Sequence, residues 1–235
     1  MSDWNQRFAD AAPALLKSAI DMSAHLMASE ERWVQAHNLL AWGVPWYLSA
    51  LGSVLETGQA IAAIPGFLHQ LRIAVEVQGE VDETFPTERF LALVDEMANR
   101  YRDRFPAQVA LEAPPGDEER TAAPAFQPSP DFELHVAEEA FNIVRASYRV
   151  GRNQFSPELA GEASTWMLVS GASAFLRGLE LGLGQAGADL HRPRFFSRLR
   201  QELREQYQEM PGYPLKHFLD IAGSIGMKWV QLSTD

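Results

Sequence analysis

The chain has no cysteine. That excludes disulfides, a thiol nucleophile, Cys-ligated zinc and thiolate-held iron–sulfur clusters. Basic residues are also few, 20 Lys and Arg against 31 Asp and Glu, for a formal net charge of −11. Phosphate contact needs a basic footprint, so a general nucleic-acid binder is set aside. Long apolar runs are scarce. The best, Leu39–Leu55, is uncharged but rich in Gly, Ser, Ala and Trp, with Pro45 inside it. It barely reaches the shortest span length, so a buried helix is the expected reading and no transmembrane segment is expected. Residues 1–10 show no basic stretch followed by an apolar one. They do not read as a secretory signal, and the expected location is cytoplasmic. There is no Gly-x-Ser-x-Gly, phosphate loop, dinucleotide fingerprint or Glu-x-x-His. No metal and no cofactor are therefore expected.

What is present is ordinary for a folded chain. The 235 residues are 46% hydrophobic and 22% charged, enough for a sizeable core. The informative feature is internal. At an offset of 126, Gly52, Leu55, Gly58, Gln59 and Ala60 match Gly178, Leu181, Gly184, Gln185 and Ala186. Two residues are then inserted. At an offset of 128, Pro65, Phe67, Leu71 and Arg72 match Pro193, Phe195, Leu199 and Arg200, and Pro86, Phe90 and Leu91 match Pro214, Phe218 and Leu219. That is 12 identities over about 50 positions, against about three by chance. A duplication is the expected explanation. Between the copies, residues 106–130 carry Pro106, Pro114, Pro115, Pro124, Pro128 and Pro130 with Asp117, Glu118 and Glu119. Such a composition suits an extended, solvated linker.

No segment reads as a convincing strand. Leu71–Val77 alternates, but its counterpart Leu199–Glu205 has a helical pattern. Phe90, Val94, Met97 and Tyr101 lie at spacings of 0, 4, 7 and 11, as do Phe218, Ala222, Ile225 and Trp229. Each set is one helical face. With prolines placed at helix starts, the expected helices are 8–36, 45–62, 66–79, 86–104, 133–150, 157–186, 193–208 and 214–231. The expected fold class is all-α: an internally duplicated helical bundle, about four helices per repeat, in a pseudo-two-fold arrangement. The expected organisation is repeat one over 1–105, linker over 106–130 and repeat two over 131–235.

Candidate binding residues follow from the repeat. Gln59 and Gln185 stand in apolar surroundings, where a buried amide needs partners. They line a cavity or tie helices together, and the tie is the plainer reading. Arg72 and Arg200 are placed to clamp an anion or to form structural ion pairs. The stretch 191–204 is the one concentrated basic patch. Arg192, Arg194, Arg198 and Arg204 within it make a candidate anion or partner surface. Opposite it, Glu76 aligns with Arg204 and Glu88 with Lys216. His135 with Glu138 and Glu139, and His217 with Asp220, have helical spacing, but the two sets do not coincide under the repeat. Trp33, Trp42 and Trp46 form a candidate interfacial belt. Its counterpart window carries Arg177 and Glu180, which argues against hydrocarbon there. No catalytic residues are identified.

The expected function is a non-catalytic cytoplasmic accessory, regulatory or scaffold protein. It would hold a partner protein or an apolar ligand in a helical groove. One alternative is an enzyme with a site between the repeats, acting on a small anionic substrate. Another is a peripheral membrane protein. A homo-oligomer is compatible with each.

Overall fold

A computed structural model describes residues 4–24, 31–54, 57–104, 131–154 and 157–209, with isolated positions 216, 219 and 220. Among them, every regular element is an α-helix. They are α1 (Trp4–Ala24), α2 (Glu31–Val54), α3 (Thr57–Val81), α4 (Thr87–Arg104), α5 (Phe132–Gln154) and α6 (Pro157–Glu209). The linker over 106–130 lies outside the described residues. So does the last expected helix, apart from the isolated positions, and with it the pairing of His217 with Asp220.

Pro157 opens α6 and Pro86 directly precedes α4, as expected, but three other prolines do not mark helix starts. Pro45, Pro65 and Pro193 lie inside α2, α3 and α6. An internal proline costs about 3 kcal/mol through a lost hydrogen bond and a clash with the preceding turn. Continuous burial on both sides offsets that cost. Leu40, Val44, Tyr47 and Leu51 are all buried and run at 0, 4, 7 and 11 straight across Pro45. The break in α6 instead falls at Gly184, whose φ of 71° and ψ of 166° leave the helical region. Glycine takes a positive φ without the Cβ penalty of other residues. Within the expected helix over 8–36, the described residues belong to α1 and α2.

The chain divides into two compact units, one of residues 1–44 with 55–126 and one of 45–54 with 127–235. In the first, α1 packs on α3 and α3 on α4. The rings of Phe8 and Phe67 lie 5.3 Å apart, and Trp33 meets Phe85 edge-on at 5.2 Å. Trp33 is thus a core residue. Between α3 and α4, the Thr84 amide and hydroxyl both donate to Asp82 Oδ1, at 2.9 and 2.6 Å. These bonds hold the Asp82 carboxyl below its ordinary range, with the Arg32 guanidinium adding to the effect.

In the second unit α5 packs on α6. Val136, Ala140, Ile143, Val144 and Ser147 of α5 are fully buried and form one face. Phe175 and Phe195 stack at 5.3 Å. Residues 45–54 of α2 lie close against α6. A Cβ added to Gly178 would come within 2.6 Å of Ala50 Cβ and 2.7 Å of the Tyr47 carbonyl oxygen. One added to Gly182 would come within 2.5 Å of Val54. No described helix is long and apolar enough to cross a membrane.

Among the described helices, many buried positions recur at a single spacing. Ala12 and Ala140, Leu16 and Val144, Leu39 and Met167, Leu40 and Leu168, Tyr47 and Phe175, and Leu51 and Leu179 are pairs 128 residues apart, and all twelve are buried. The same holds for Phe67 with Phe195, Leu71 with Leu199 and Val75 with Leu203.

Candidate functional site

The second unit carries an open cleft of about 940 Å³. One wall is α5. The buried face described above fixes its rotation, and the opposite residues line the cleft. Glu139, Asn142, Ala146, Arg149 and Asn153 form one stripe and Phe141, Arg145, Tyr148 and Arg152 an adjoining one. Glu133 in the first turn and Arg152 in the last complement the helix dipole. Pro45, Trp46 and Ser49 of α2 and Gln206 of α6 complete the lining.

Charge is unevenly satisfied there. Glu202 on α6 is fully buried. Its carboxylate accepts from Arg145 Nε at 2.8 Å, Arg198 at 3.5 Å and Gln206 Nε2 at 3.3 Å. Both guanidinium groups also lie over the Phe141 ring, at 4.7 and 5.4 Å. Arg145 is thus spent on structure, tying α5 to α6. Arg149 and Arg152 are exposed and make no ion pair or hydrogen bond among the described residues.

Glu139 lies at the other end of the same α5 stripe and is nine-tenths buried. Its Oε1 is 3.8 Å from His135 Nε2, and Ser49 shares the cleft lining with it. Its Oε2 is buried and has no hydrogen-bond partner. Burial pushes this carboxyl above its usual range, Glu138 adds to the effect, and His135 and Ser49 oppose it. A buried acceptor without a donor is costly, and few are left in native proteins.

The residues expected from the sequence fall elsewhere. Gln59 is in α3, but its side chain lies outside the described ones. Gln185 is exposed one residue past the Gly184 break, so it is not a buried core amide. A spacing of 128 places Gln59 opposite Gly187 and Gln185 opposite Thr57. Arg72 pairs with Asp95 beside a smaller cleft of about 290 Å³ in the first unit. Arg200 and Arg204 are exposed on α6.

The patch of arginines is largely consumed by neighbours. Arg192 is buried and paired with Glu180 at 3.0 Å and with Asp189. Arg194 pairs with Glu133 at 3.3 Å, and His191 Nδ1 lies 2.7 Å from the same carboxylate. Trp42 is half-buried, as is Trp46 at the cleft. Sequence reasoning missed Arg145, Arg149 and Arg152, although their spacing of 0, 4 and 7 places them on one helix face. Among the described residues, no group of three or more His, Asp or Glu side chains is placed to hold a metal.

Compared with protein-family models, with curated proteins and with solved structures, the chain matches none.

Proposed function

We propose that this is a binding protein whose second unit takes a small anionic ligand in the cleft along α5. The carrying observation is the pair Arg149 and Arg152. In a chain with 31 acids and 20 bases, two guanidinium groups share a cleft without a carboxylate between them. Glu202, the buried acid of α6, is already held by Arg145 and Arg198. Planar guanidinium forks suit carboxylate and phosphate. The two arginines without a partner among the described residues favour an anionic occupant over the apolar one expected first.

Calorimetric titration with pyrophosphate tests the reading. The intact protein is expected to bind, and to bind more weakly as salt rises. Arg149→Gln and Arg152→Gln are each expected to weaken binding about tenfold, the loss of one charge-assisted contact. Arg200→Gln is the exposed control and leaves it unchanged. Equal binding by all three variants refutes the site.

We also propose that the helices arose by duplication of one unit, with equivalent helices related by a local two-fold axis. The gapless burial spacing of 128 supports this, in place of the two-residue insertion suggested by the sequence. The bounds agree: Thr57–Val81 shifted by 128 runs 185–209, which is the part of α6 beyond Gly184. Ala50 and Gly178 are equivalent under that spacing, as are Val54 and Gly182, and each residue lies against its own counterpart. Such self-matched contacts are what a two-fold relation between copies produces. An experimental structure in which residues 8–80 and 136–208 do not superpose overturns it.

A further inference from the structure

The anionic-ligand reading leaves Glu139 unexplained, because a carboxylate at one end of the cleft repels an anion. We infer that the cleft takes a linear zwitterion of tri- to tetrapeptide size, its carboxylate against Arg149 and Arg152 and its ammonium against Glu139; this rests on the anionic-ligand reading. The two ends carry opposite requirements. Arg149 and Arg152 offer donors and positive charge with nothing to receive them among the described residues. Glu139 lines the cleft, and its Oε2 is an enclosed acceptor with no donor, which a turn of the side chain toward the cleft would give to a ligand. An ammonium group supplies both a donor and the missing charge, and a buried carboxylate gains most from a partner that carries charge.

Helix geometry sets the length. Glu139 is 10 residues from Arg149 and 13 from Arg152 on one helix. At 1.5 Å per residue the backbone positions are about 15–20 Å apart. Helical side chains all lean toward the N-terminus, Glu139 included, so only the greater length of the arginines narrows the gap, to about 12–17 Å. An extended peptide spans about 3.3–3.6 Å per residue, so three or four residues, with a hydrogen bond of about 3 Å at each end, fill that gap. The amides of Asn142 and Asn153 lie between and beyond these ends, suited to peptide groups, and Trp46 and Tyr148 offer flat apolar surface. The cleft volume of about 940 Å³ is at the upper end of the usual range for small-molecule sites.

The experiment uses tetra-alanine with free ends, its N-acetylated form, its C-amidated form and a dipeptide, each titrated into the full chain by calorimetry. Tetra-alanine is expected to bind, and each end block and the dipeptide to lose at least tenfold. In Glu139→Gln the free and acetylated forms are expected to bind equally, while pyrophosphate binding persists and shows that the variant is folded. In Arg149→Gln/Arg152→Gln the free and amidated forms are expected to bind equally. If the acetylated peptide binds the intact protein as tightly as the free one, the zwitterion inference is overturned, and the anionic-ligand reading stands when amidation still weakens binding. If no peptide binds but pyrophosphate does, the inference again falls alone. If neither binds, both fall.

Discussion

Adding one methyl group at Gly178 tests the helix contact at the centre of the second unit. Glycine to alanine inside a helix is ordinarily favourable by about 0.8–1 kcal/mol, because alanine loses less backbone entropy. At Gly178 the new Cβ would sit 2.6 Å from Ala50 Cβ and 2.7 Å from the Tyr47 carbonyl oxygen. Neither neighbour is the end of a flexible chain, so the helices must separate by roughly 1 Å to reach ordinary contact. Overpacking of this kind costs about 1–3 kcal/mol. With the propensity gain subtracted, Gly178→Ala is expected to destabilise by about 1 kcal/mol. For a chain of this length that lowers Tm by about 2–4 °C. Gly182→Ala, facing Val54 at 2.5 Å, is expected to move the same way.

Two controls carry the opposite sign. Gly52 and Gly66 are exposed helical glycines with nothing within 4 Å of an added Cβ. Their alanine variants are expected to gain about 0.5–1 kcal/mol and to raise Tm by about 2–3 °C. Thermal melts followed by circular dichroism read all four. If Gly178→Ala rises in step with Gly52→Ala, the close approach of α2 to α6 is wrong, and the self-matched contacts behind the two-fold proposal go with it.

Glu202→Ala removes the shared acceptor of Arg145, Arg198 and Gln206, and urea unfolding is expected to show a loss of about 2–3 kcal/mol. A larger loss is not expected, because Arg145 and Arg198 are 45% and 29% exposed and can rehydrate. His37 has a lowered pKa, chiefly from burial, with Arg89 adding to it and Asn38 and Glu96 opposing it. As pH falls through the unfolded value near 6.5, the unfolded chain takes up a proton before the folded one does, so stability is expected to fall below that pH. His37→Leu is expected to flatten the slope between pH 7 and 5. Glu139 has the reverse sign. Its raised pKa gives stability that is present below the unfolded value near 4.5 and lost as pH rises through the folded value, and Glu139→Gln is expected to remove that loss.

The helices were legible in the sequence wherever burial is periodic. Phe67, Leu71 and Val75, and Phe195, Leu199 and Leu203, are spaced by four and all six are fully buried. The ends were less legible, because proline was weighted as a boundary while the apolar pattern runs through Pro45. The proposed register of 128 departs from the glutamine match for a related reason. Five identities around Gln59 favoured a local offset of 126, but the register of burial is set by packing over whole helices. The basic stretch at 191–204 drew notice by density alone. Density does not reveal pairing: Arg192 meets Glu180 and Asp189 nearby in sequence, but Arg194 meets Glu133 across the fold. The unpaired arginines of α5 are sparser, and only the positions of the surrounding acids single them out.

The proposed duplication gives the cleft a reference. Under the spacing of 128, Glu139, Asn142 and Glu202 stand where the first copy has Ala11, Ala14 and Ala74. Arg145 and Arg149 stand where it has Lys17 and Asp21. In the first copy those two form an ion pair at 2.5 Å, one turn apart. In the second the acid is replaced by a base, and Arg145, Arg149 and Arg152 become like charges at helical spacing. Such stacking disfavours a helix by about 0.2–0.5 kcal/mol per pair. A stability-driven surface has no use for it, whereas an anion bound across α5 reverses its sign. Arg149→Asp restores the first copy's pattern. In ligand-free protein it is expected to raise Tm by about 1 °C, and to abolish pyrophosphate binding in calorimetry. A variant that melts lower than the parent, or one that still binds, removes the reason for reading this charge reversal as a ligand site.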